Sequence, residues 1–294
     1  MSIPILNEAN IPQVSPANTY VGLTTHDPGS APGEPQRYYP TGQRTYLRIS
    51  ATDRVQAAAL LTTMHGDGCR RVAIANDRTA YGYGLAALTE SQRHTYGVRI
   101  VSNTGINSTA SSYRAYARKL QQQHADCFLF AGLASNHAAR VAEAVAAAIS
   151  RAKLYGDDGI CTSSFTDPAE GGIPASLGHR FKCTVLALPL SAYPGGAAFA
   201  AAYHAEYGVA NPDPYAIYGY EAMKLGLDTI GGLGANGNSR AAILHALFAT
   251  TNRQSALGTY SFDQNGDTTL RTYGLYKVAG RHGSLVFVRN VMPR

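Results

Sequence analysis

The 294-residue sequence is 45% hydrophobic and 15% charged, which is ordinary for a folded protein and excludes an intrinsically disordered chain. No run approaches the roughly 18 continuous apolar residues of a membrane span, and residues 1–7 lack the basic and apolar regions of a signal peptide. The net charge of +6 comes from scattered basic residues rather than from runs that track phosphates, so we expect no nucleic-acid partner.

Short β-rich runs alternate with Ala-rich helical runs between residues 45 and 190. We predict strands at 45–49, 71–75, 98–101, 127–131, 153–156 and 181–186. We predict helices from the N-cap Asp53 to Gly66, and at 85–96, 112–123 and 137–152. This succession predicts an α/β fold, in which a mostly parallel sheet is covered by helices on both faces.

The pattern changes after residue 189. Helices are predicted at 199–207, 215–230 and 239–250, followed by a turn and a terminal hairpin over 272–279 and 284–288. These helices need a sheet to pack on, and the nearby sequence supplies few strands beyond a short one at 11–14. Either they cover an N-terminal sheet, or part of their sheet is absent.

Parallel sheets of this kind bind ligands beyond the carboxyl ends of their strands. Three such ends are polar or glycine-rich, namely Asn76-Asp77, the loop at 132–135 and the loop at 156–159. Within the last loop, Asp157 and Asp158 are adjacent and so point in different directions, which argues against a catalytic pair. One of them as the partner of a ligand ammonium is a better hypothesis, and plain turn residues fit the spacing equally well.

The signatures of common enzymes are missing. The sequence contains no nucleotide-binding G-x-G-x-x-G or G-x-x-x-x-G-K-[ST], no G-x-S-x-G and no H-E-x-x-H, so we predict no catalytic residue and no cofactor. The segment Tyr81–Gly84 is more typical of a tight strand-to-helix turn that brings Tyr81 to the sheet edge. The segment Asp263–Asp267 lacks the glycine position and the terminal glutamate of a calcium loop, so a turn is predicted there.

Four cysteines form no C-x-x-C pair and have no histidine at zinc-ligand spacing, so no metal site is predicted. If the strands near them are neighbours in the sheet, their positions favour the pairings Cys69–Cys127 and Cys161–Cys183. Four buried free thiols in a reducing compartment fit the sequence equally well at this point.

The segment Ser15-Pro16-Ala17-Asn18-Thr19 is small, hydroxylated and rich in backbone donors. Such a segment can hold a carboxylate through hydroxyl and main-chain N–H groups. A plain loop at the end of a strand is the alternative interpretation.

Taken in order, several segments together resemble one known family. They lie at 11–19, 45–49, 71–84, 126–132, 154–159, 214–222 and 262–267. The sequence resembles the type I periplasmic solute-binding proteins of the leucine/isoleucine/valine-binding class, which serve ABC transporters. The resemblance covers essentially the whole chain and rests on the order and spacing of the segments rather than on one diagnostic motif.

The resemblance implies a set of ligand-binding residues. The first lobe would hold the ligand carboxylate and amine through Ser15, Ala17, Asn18 and Thr19. In the second lobe, Tyr81 matches a tyrosine that closes onto the ligand, and Asp158 matches the acidic partner of the α-ammonium.

The remaining pocket positions depart from the family. Leu133 or Ala134 stands where some relatives have a pocket tyrosine, and Tyr215 or Tyr218 falls near an aromatic lining position. These departures mean that the resemblance does not specify a branched aliphatic ligand.

The resemblance also implies a two-lobed architecture. Lobe 1 would comprise residues 1–49 and 189–262, and lobe 2 residues 50–188 and 263–294. Family members carry further lobe 1 residues before the segment at which this sequence starts, so we expect an N-terminally truncated chain with an incomplete lobe 1. The full-length form would be exported to the periplasm or the cell exterior and anchored to the membrane, which favours disulfides over free thiols.

The implied function is capture of an amino acid or a related small polar solute for an ABC transporter permease, by hinge closure. The chain would therefore be a binding protein and not an enzyme. A ligand-sensing domain of a receptor or regulator is the alternative, and an α/β enzyme acting at the same strand ends is a weaker one, because function resides in the site rather than in the fold.

Overall fold

The computed structural model describes residues 2–293. The chain divides into two compact units: unit 1 is Met1–Thr52 with Ala187–Arg271, and unit 2 is Asp53–Leu186 with Thr272–Arg294. The sequence placed residues 263–271 with the second lobe, whereas they belong to unit 1. The physical reason is Asp267, whose carboxylate pairs with the buried Arg48 of the same unit.

The strands of the described residues are β1 Gln13–Ser15, β2 Tyr46–Arg48, β3 Arg71–Asn76, β4 Arg99–Gly105, β5 Cys127–Ala131, β6 Lys153–Gly156, β7 Phe181–Val185, β8 Arg253–Ser255, β9 Gly258–Tyr260, β10 Tyr273–Ala279 and β11 Ser284–Val291. The α-helices are α1 Ile3–Glu8, α2 Asp53–Gly66, α3 Ala80–Gln92, α4 Arg114–Gln122, α5 Ala138–Ala148, α6 Ser163–Thr166, α7 Ala175–Gly178, α8 Gly196–Tyr207, α9 Ala216–Gly232 and α10 Arg240–Phe248. Within residues 2–293, no helix combines the length and the apolar character that a bilayer crossing requires.

Unit 2 is built on a seven-stranded sheet in the order β11-β10-β7-β6-β5-β3-β4. The five strands from β7 to β4 are parallel, and the terminal hairpin β10–β11 adds two antiparallel strands at the β7 edge. This arrangement confirms the predicted α/β class with a mostly parallel sheet.

Strands β3 and β5 are apolar and buried along most of their length, as expected where both faces of a parallel sheet are covered. Ala73, Ala75, Phe128 and Phe130 pack in one core cluster with side chains of α4 and α5. Because side chains alternate along a strand, the residues between them face the opposite side. The sheet therefore lies between two apolar layers, and its carboxyl-terminal loops extend from one edge of it.

Two disulfides cross-link unit 2. One joins Cys69, just before β3, to Cys127 at the start of the neighbouring β5, with a Cα–Cα distance of 5.8 Å. The other joins Cys161 to Cys183 in β7, at 5.7 Å. The second bond ties the segment that follows β6 to the adjacent strand.

Unit 1 contains a two-stranded parallel sheet, β1–β2, and a small antiparallel hairpin, β8–β9. Its long helix α9 buries one face, which includes Ile217 and Leu225. The opposite face carries exposed apolar side chains, at Tyr220, Met223, Leu227 and Ile230.

Several boundaries differ from the prediction. Helix α3 begins at Ala80 because Thr79 caps it, so Tyr81–Gly84 form helical turns rather than a separate turn. Helix α5 ends at Ala148, earlier than expected, and β11 continues to Val291. The hairpin β8–β9 was missed because three-residue strands carry too few residues for an alternating pattern.

Candidate functional site

Three loops of unit 2 meet beyond the carboxyl ends of β3, β5 and β6. The Asp77 carboxylate, after β3, accepts hydrogen bonds from Leu133 N at 2.9 Å and from Asn136 Nδ2 at 2.7 Å, both after β5. The Asp157 carboxylate, after β6, accepts one from Gly132 N at 2.7 Å. Two acidic side chains therefore join the loops that the sequence identified as the place to look for function.

Asp158 lies at the centre of this edge and is partly exposed. Its Oδ1 accepts hydrogen bonds from the phenol of Tyr81 and, at 3.1 Å, from Nε2 of Gln56. Its main-chain oxygen accepts from Cys161 N at 3.3 Å, next to the disulfide. The structure therefore brings together two of the predicted residues, Tyr81 and Asp158, and adds Gln56.

Tyr81 owes its position to the start of α3. Thr79 caps that helix by accepting from Gly82 N at 3.0 Å, and Tyr81 is the second residue of the helix. Burial, together with the charges of Asp157 and Asp158, raises the pKa of the Tyr81 phenol well above its ordinary value. The phenol is therefore a proton donor to Asp158 at neutral pH.

Asp157 differs from its neighbour because it is fully buried. Besides the bond from Gly132, it accepts one from Ile160 N at 3.2 Å. Burial, reinforced by the nearby charge of Asp158, raises the pKa of the Asp157 carboxyl well above its usual range. Asp157 thus shapes the loop, while Asp158 is the carboxylate of the pair that reaches solvent.

The raised pKa of Asp157 predicts a pH dependence of stability. Because the fold favours the protonated carboxyl, its contribution is fully present below the unfolded pKa of about 3.9 and is lost as pH rises through the higher folded pKa. Asp157→Asn should therefore give a thermal midpoint that falls less between pH 4 and 8 than that of the unmodified protein. Glu206→Gln, on the exposed surface of α8, is the control, and an unchanged slope for Asp157→Asn would contradict this assignment.

Two glycines make room for Asp77. A Cβ on Gly82 would lie 2.3 Å from Asp77 Oδ1 and 2.5 Å from the Ala131 carbonyl oxygen. A Cβ on Gly132 would lie 2.3 Å from Asp77 Cγ, and the φ of +144° at Gly132 is itself unfavourable for other residues. The close approach of the loops therefore requires glycine at both positions.

Gly82→Ala should destabilise the protein by about 1–3 kcal/mol, because the methyl group meets backbone as well as the Asp77 carboxylate. The matched control is Gly219→Ala in α9, where nothing lies within 4 Å of the new Cβ. That change should stabilise by about 0.5–1 kcal/mol, since alanine is the better helix former. Urea unfolding of both variants tests the difference, and equal effects would show that Asp77 does not constrain the helix start.

Leu133 occupies the turn that follows β5. Its N–H donates a hydrogen bond to the Asp77 carboxylate, whereas the residue as a whole is 43% exposed. Large apolar side chains are usually buried in the core. The exposed Leu133 therefore offers apolar surface at the same carboxyl edge of the sheet as Asp158.

In unit 1, the segment Ser15–Thr19 follows β1. Ser15 is buried, and its Oγ accepts hydrogen bonds from Asn18 N at 3.1 Å and from Ala17 N at 3.4 Å. The side chains of Ala17 and Asn18 are exposed, and Thr19 is buried. Two of the backbone donors expected for a carboxylate are thus directed at Ser15, whose hydroxyl keeps its own proton to donate.

The buried side chain of Arg48 holds the Ser15–Thr19 segment in place. It is fully buried, pairs with Asp267 at 2.6 Å, and donates to the Asn18 carbonyl at 3.3 Å. Ser50 Oγ donates to the same carbonyl at 2.9 Å. Two side chains, one in strand β2 and one just after it, therefore hold the main chain at Asn18 in place.

Tyr215 and Tyr218 belong to an aromatic cluster in unit 1. Tyr218 is buried, and its hydroxyl accepts from Tyr193 at 3.2 Å while the two rings meet edge to face. The half-buried Tyr215 contacts the Tyr218 ring, with centroids 6.1 Å apart. Tyr215 is thus the more exposed of the two residues that the sequence singled out.

Three residues important to this geometry were not identified from the sequence, namely Gln56, Arg48 and Asp77 in its bridging role. Gln56 lies 102 residues before Asp158, and no spacing rule connects a helix start to a distant loop. One signal in the sequence could have identified Gln56. It is a polar residue at a helix position that should face the core, and a buried polar group requires a hydrogen-bond partner.

A separate cleft lies away from this edge of the sheet. It encloses about 750 Å³ in unit 1 and is lined mainly by apolar and aromatic side chains of α8 and α9, including Phe199, Tyr203 and Tyr220. None of the predicted ligand-binding residues lines it.

One cluster of potential metal ligands occurs within residues 2–293, at Cys69, Asp126 and Cys127. Its two sulfurs are bonded to each other, so they offer no thiolate to a metal.

The described residues form an α/β unit with a mostly parallel sheet, and acidic side chains join the loops at its carboxyl edge. The sequence matches the model of the family described as "Periplasmic binding protein" over residues 2–283. The chain therefore belongs to the type I periplasmic binding protein family, which confirms the resemblance. The family and its structural neighbours are substrate-binding proteins rather than enzymes.

Among curated relatives, the Leu/Ile/Val-binding protein BraC3 of Rhizobium johnstonii is 26% identical over 246 residues, which is 80% of this chain and 62% of that protein. An amino acid binding protein of Pseudomonas aeruginosa is 25% identical over 213 residues, or 71% of this chain and 53% of its own length. The chain thus spans little more than half the length of the curated relatives it matches.

Solved structures show the same fold. The leucine binding protein LivK of Thermotoga maritima aligns with a TM-score of 0.78 and 21% identity over 99% of this chain and 76% of that one. An ABC transporter substrate-binding protein of Desulfitobacterium hafniense in complex with Leu gives 0.76 and 20%, over 98% and 77%. A solute-binding protein of R. palustris in complex with benzoate gives 0.72 and 17%, over 99% and 74%.

Proposed function

We propose that this chain is the solute-binding component of an ABC transporter and that it captures an amino acid or a related small polar solute outside the cytoplasm by hinge closure. Membership of the periplasmic binding protein family supports the class of function. The two disulfides support an oxidising compartment. The permease of the transporter is the proposed macromolecular partner.

The observation that carries the ligand class is the Asp158 carboxylate, which accepts hydrogen bonds from Tyr81 and Gln56 at the carboxyl edge of the unit 2 sheet. Both donors are uncharged side chains, and together they orient this group. A carboxylate of this kind is suited to the α-ammonium of an amino acid, through a charge-assisted hydrogen bond. A simple aromatic acid such as benzoate offers no cation to it.

In unit 1 we assign the ligand carboxylate to Ser15, Ala17, Asn18 and Thr19. The Ser15 hydroxyl accepts two main-chain bonds and retains a proton, so it is a suitable donor to a carboxylate. Tyr215 or Tyr218 is the proposed aromatic lining, and Tyr215 is better placed because it is the less buried ring.

The ligand side chain is assigned to the exposed Leu133. An apolar side chain at this position favours an apolar or uncharged polar ligand side chain over a charged one, because burying an unpaired charge is costly.

A thermal-shift panel tests the proposal. The twenty L-amino acids, benzoate and 4-hydroxybenzoate are each added to the full chain at millimolar concentration. We expect at least one amino acid to raise the thermal midpoint, because a ligand that binds only the folded state stabilises it. Stabilisation by the aromatic acids alone, or by none of these compounds, would contradict the proposed ligand class.

A further inference from the structure

Gln56 is a fully buried amide in the first two turns of α2. Its Nε2 donates to Asp158 Oδ1 at 3.1 Å, to the Thr184 carbonyl oxygen at 3.0 Å and, more distantly, to Thr184 Oγ1 at 3.3 Å. The side chain thus connects the loop after β6 to strand β7, two elements that are otherwise joined here by the Cys161–Cys183 disulfide.

The orientation of the amide is set by its partners. A carboxylate oxygen and a carbonyl oxygen can only accept hydrogen bonds, so both require the NH₂ end of Gln56. The opposite end, Oε1, is consequently directed into the core, where it is buried and has no hydrogen-bond partner.

A buried amide oxygen without a partner lowers stability, and an apolar side chain of similar size would avoid that cost. The amide group of Gln56 is therefore poorly explained by core packing alone. The hydrogen bonds that the amide donates explain its presence better, because one of them goes to Asp158, the carboxylate assigned to the ligand ammonium.

Gln56 and Tyr81 donate to the same oxygen of Asp158 from two different helices. Two donors on one oxygen restrict rotation of the carboxylate about its side-chain torsion. A preorganised charge binds more tightly than one that must be ordered when the ligand arrives.

We propose that Gln56 is a positioning residue, which fixes the Asp158 carboxylate for ammonium recognition without contacting the ligand. This inference rests on the proposed function, and it assigns a binding role to a residue of α2 that none of the family-derived positions includes.

The first test is a double-mutant cycle on binding of L-leucine, measured by calorimetry on the full chain. Gln56→Met keeps the length of the side chain and removes both donors. When Asp158 is present, we expect this substitution to raise Kd roughly 10-fold, the effect of losing a hydrogen bond to a charged group. When Asp158→Asn is already present, we expect it to raise Kd less than about 2-fold.

Two controls separate positioning from packing. Thr184→Val removes the long bond to Oγ1 and leaves the bond to Asp158, and Gln92→Met makes the same substitution in α3. Both should leave Kd within about 2-fold. Equal weakening by Gln56→Met with and without Asp158→Asn, or no weakening at all, would overturn the inference.

The second test needs no ligand. In protein labelled with ¹⁵N at glutamine, the side-chain amide signal that disappears in Gln56→Met should be protected from exchange and should shift in Asp158→Asn. A signal that ignores Asp158→Asn would overturn the positioning role. If L-leucine does not bind, this measurement alone decides the inference, whereas the proposed function is contradicted only if no amino acid of the thermal-shift panel binds.

Discussion

Asp267→Ala should lower the free energy of unfolding by about 3–5 kcal/mol, because it removes the carboxylate that pairs with the buried guanidinium of Arg48. Arg48 is fully buried, and Asp267 is its carboxylate partner at 2.6 Å. Thr24 Oγ1 also donates to Asp267, at 3.0 Å, so the substitution removes the acceptor of a second polar group. The measurement is urea unfolding followed by far-UV circular dichroism.

Asp228→Ala is the matched control, because it too removes an aspartate that pairs with an arginine. Its carboxylate is 42% exposed and pairs with Arg253 and Lys224, so we expect a loss of about 0–1 kcal/mol. The double variant Arg48→Met/Asp267→Leu should recover most of the loss, since no buried charge remains. A loss for Asp267→Ala no larger than that for Asp228→Ala would contradict the account of this ion pair.

Asp158→Asn should weaken binding of L-leucine roughly 10-fold or more, which corresponds to about 1.5–3 kcal/mol for a hydrogen bond to a charged group. The substitution keeps the size of the side chain and removes its charge. Calorimetric titration of the full chain measures the change in Kd, and circular dichroism checks that the fold is retained.

Glu206→Gln makes the same carboxylate-to-amide change on the exposed face of α8 and should leave Kd unaltered. Asp157→Asn separates the two adjacent acids, since Asp157 is fully buried and bonded to Gly132 N and Ile160 N. We expect it to act chiefly on stability. Unchanged leucine binding by Asp158→Asn would remove the basis for assigning the ammonium to this residue.

The sequence was informative where a pattern repeats along the chain. The alternation of apolar strands with Ala-rich helices sufficed to predict the parallel sheet of unit 2, and the carboxyl ends of β3, β5 and β6 followed from the topology. Adjacent carboxylates also had to point apart, as Asp157 and Asp158 do.

The sequence was uninformative where geometry depends on pairs of distant residues. Nothing near Gln56 predicts its bond to Asp158, and nothing near Arg48 predicts its pairing with Asp267, 219 residues away. The Tyr-Gly-Tyr-Gly segment lacks the full G-x-G-x-x-G signature and predicts a strand-to-helix turn. In the structure Gly82 lies in helix α3, and glycine is required there because the Asp77 carboxylate occupies the space that a side chain would need.

We infer that the site recognises an amino acid by its ammonium group. The most direct test is calorimetric titration with the amino acid that gives the largest thermal shift and with the carboxylic acid that lacks only its amino group. We predict that the deaminated compound binds at least about 10-fold more weakly, because the charge-assisted bond to Asp158 is lost. Equal or tighter binding of the deaminated compound would contradict the claim.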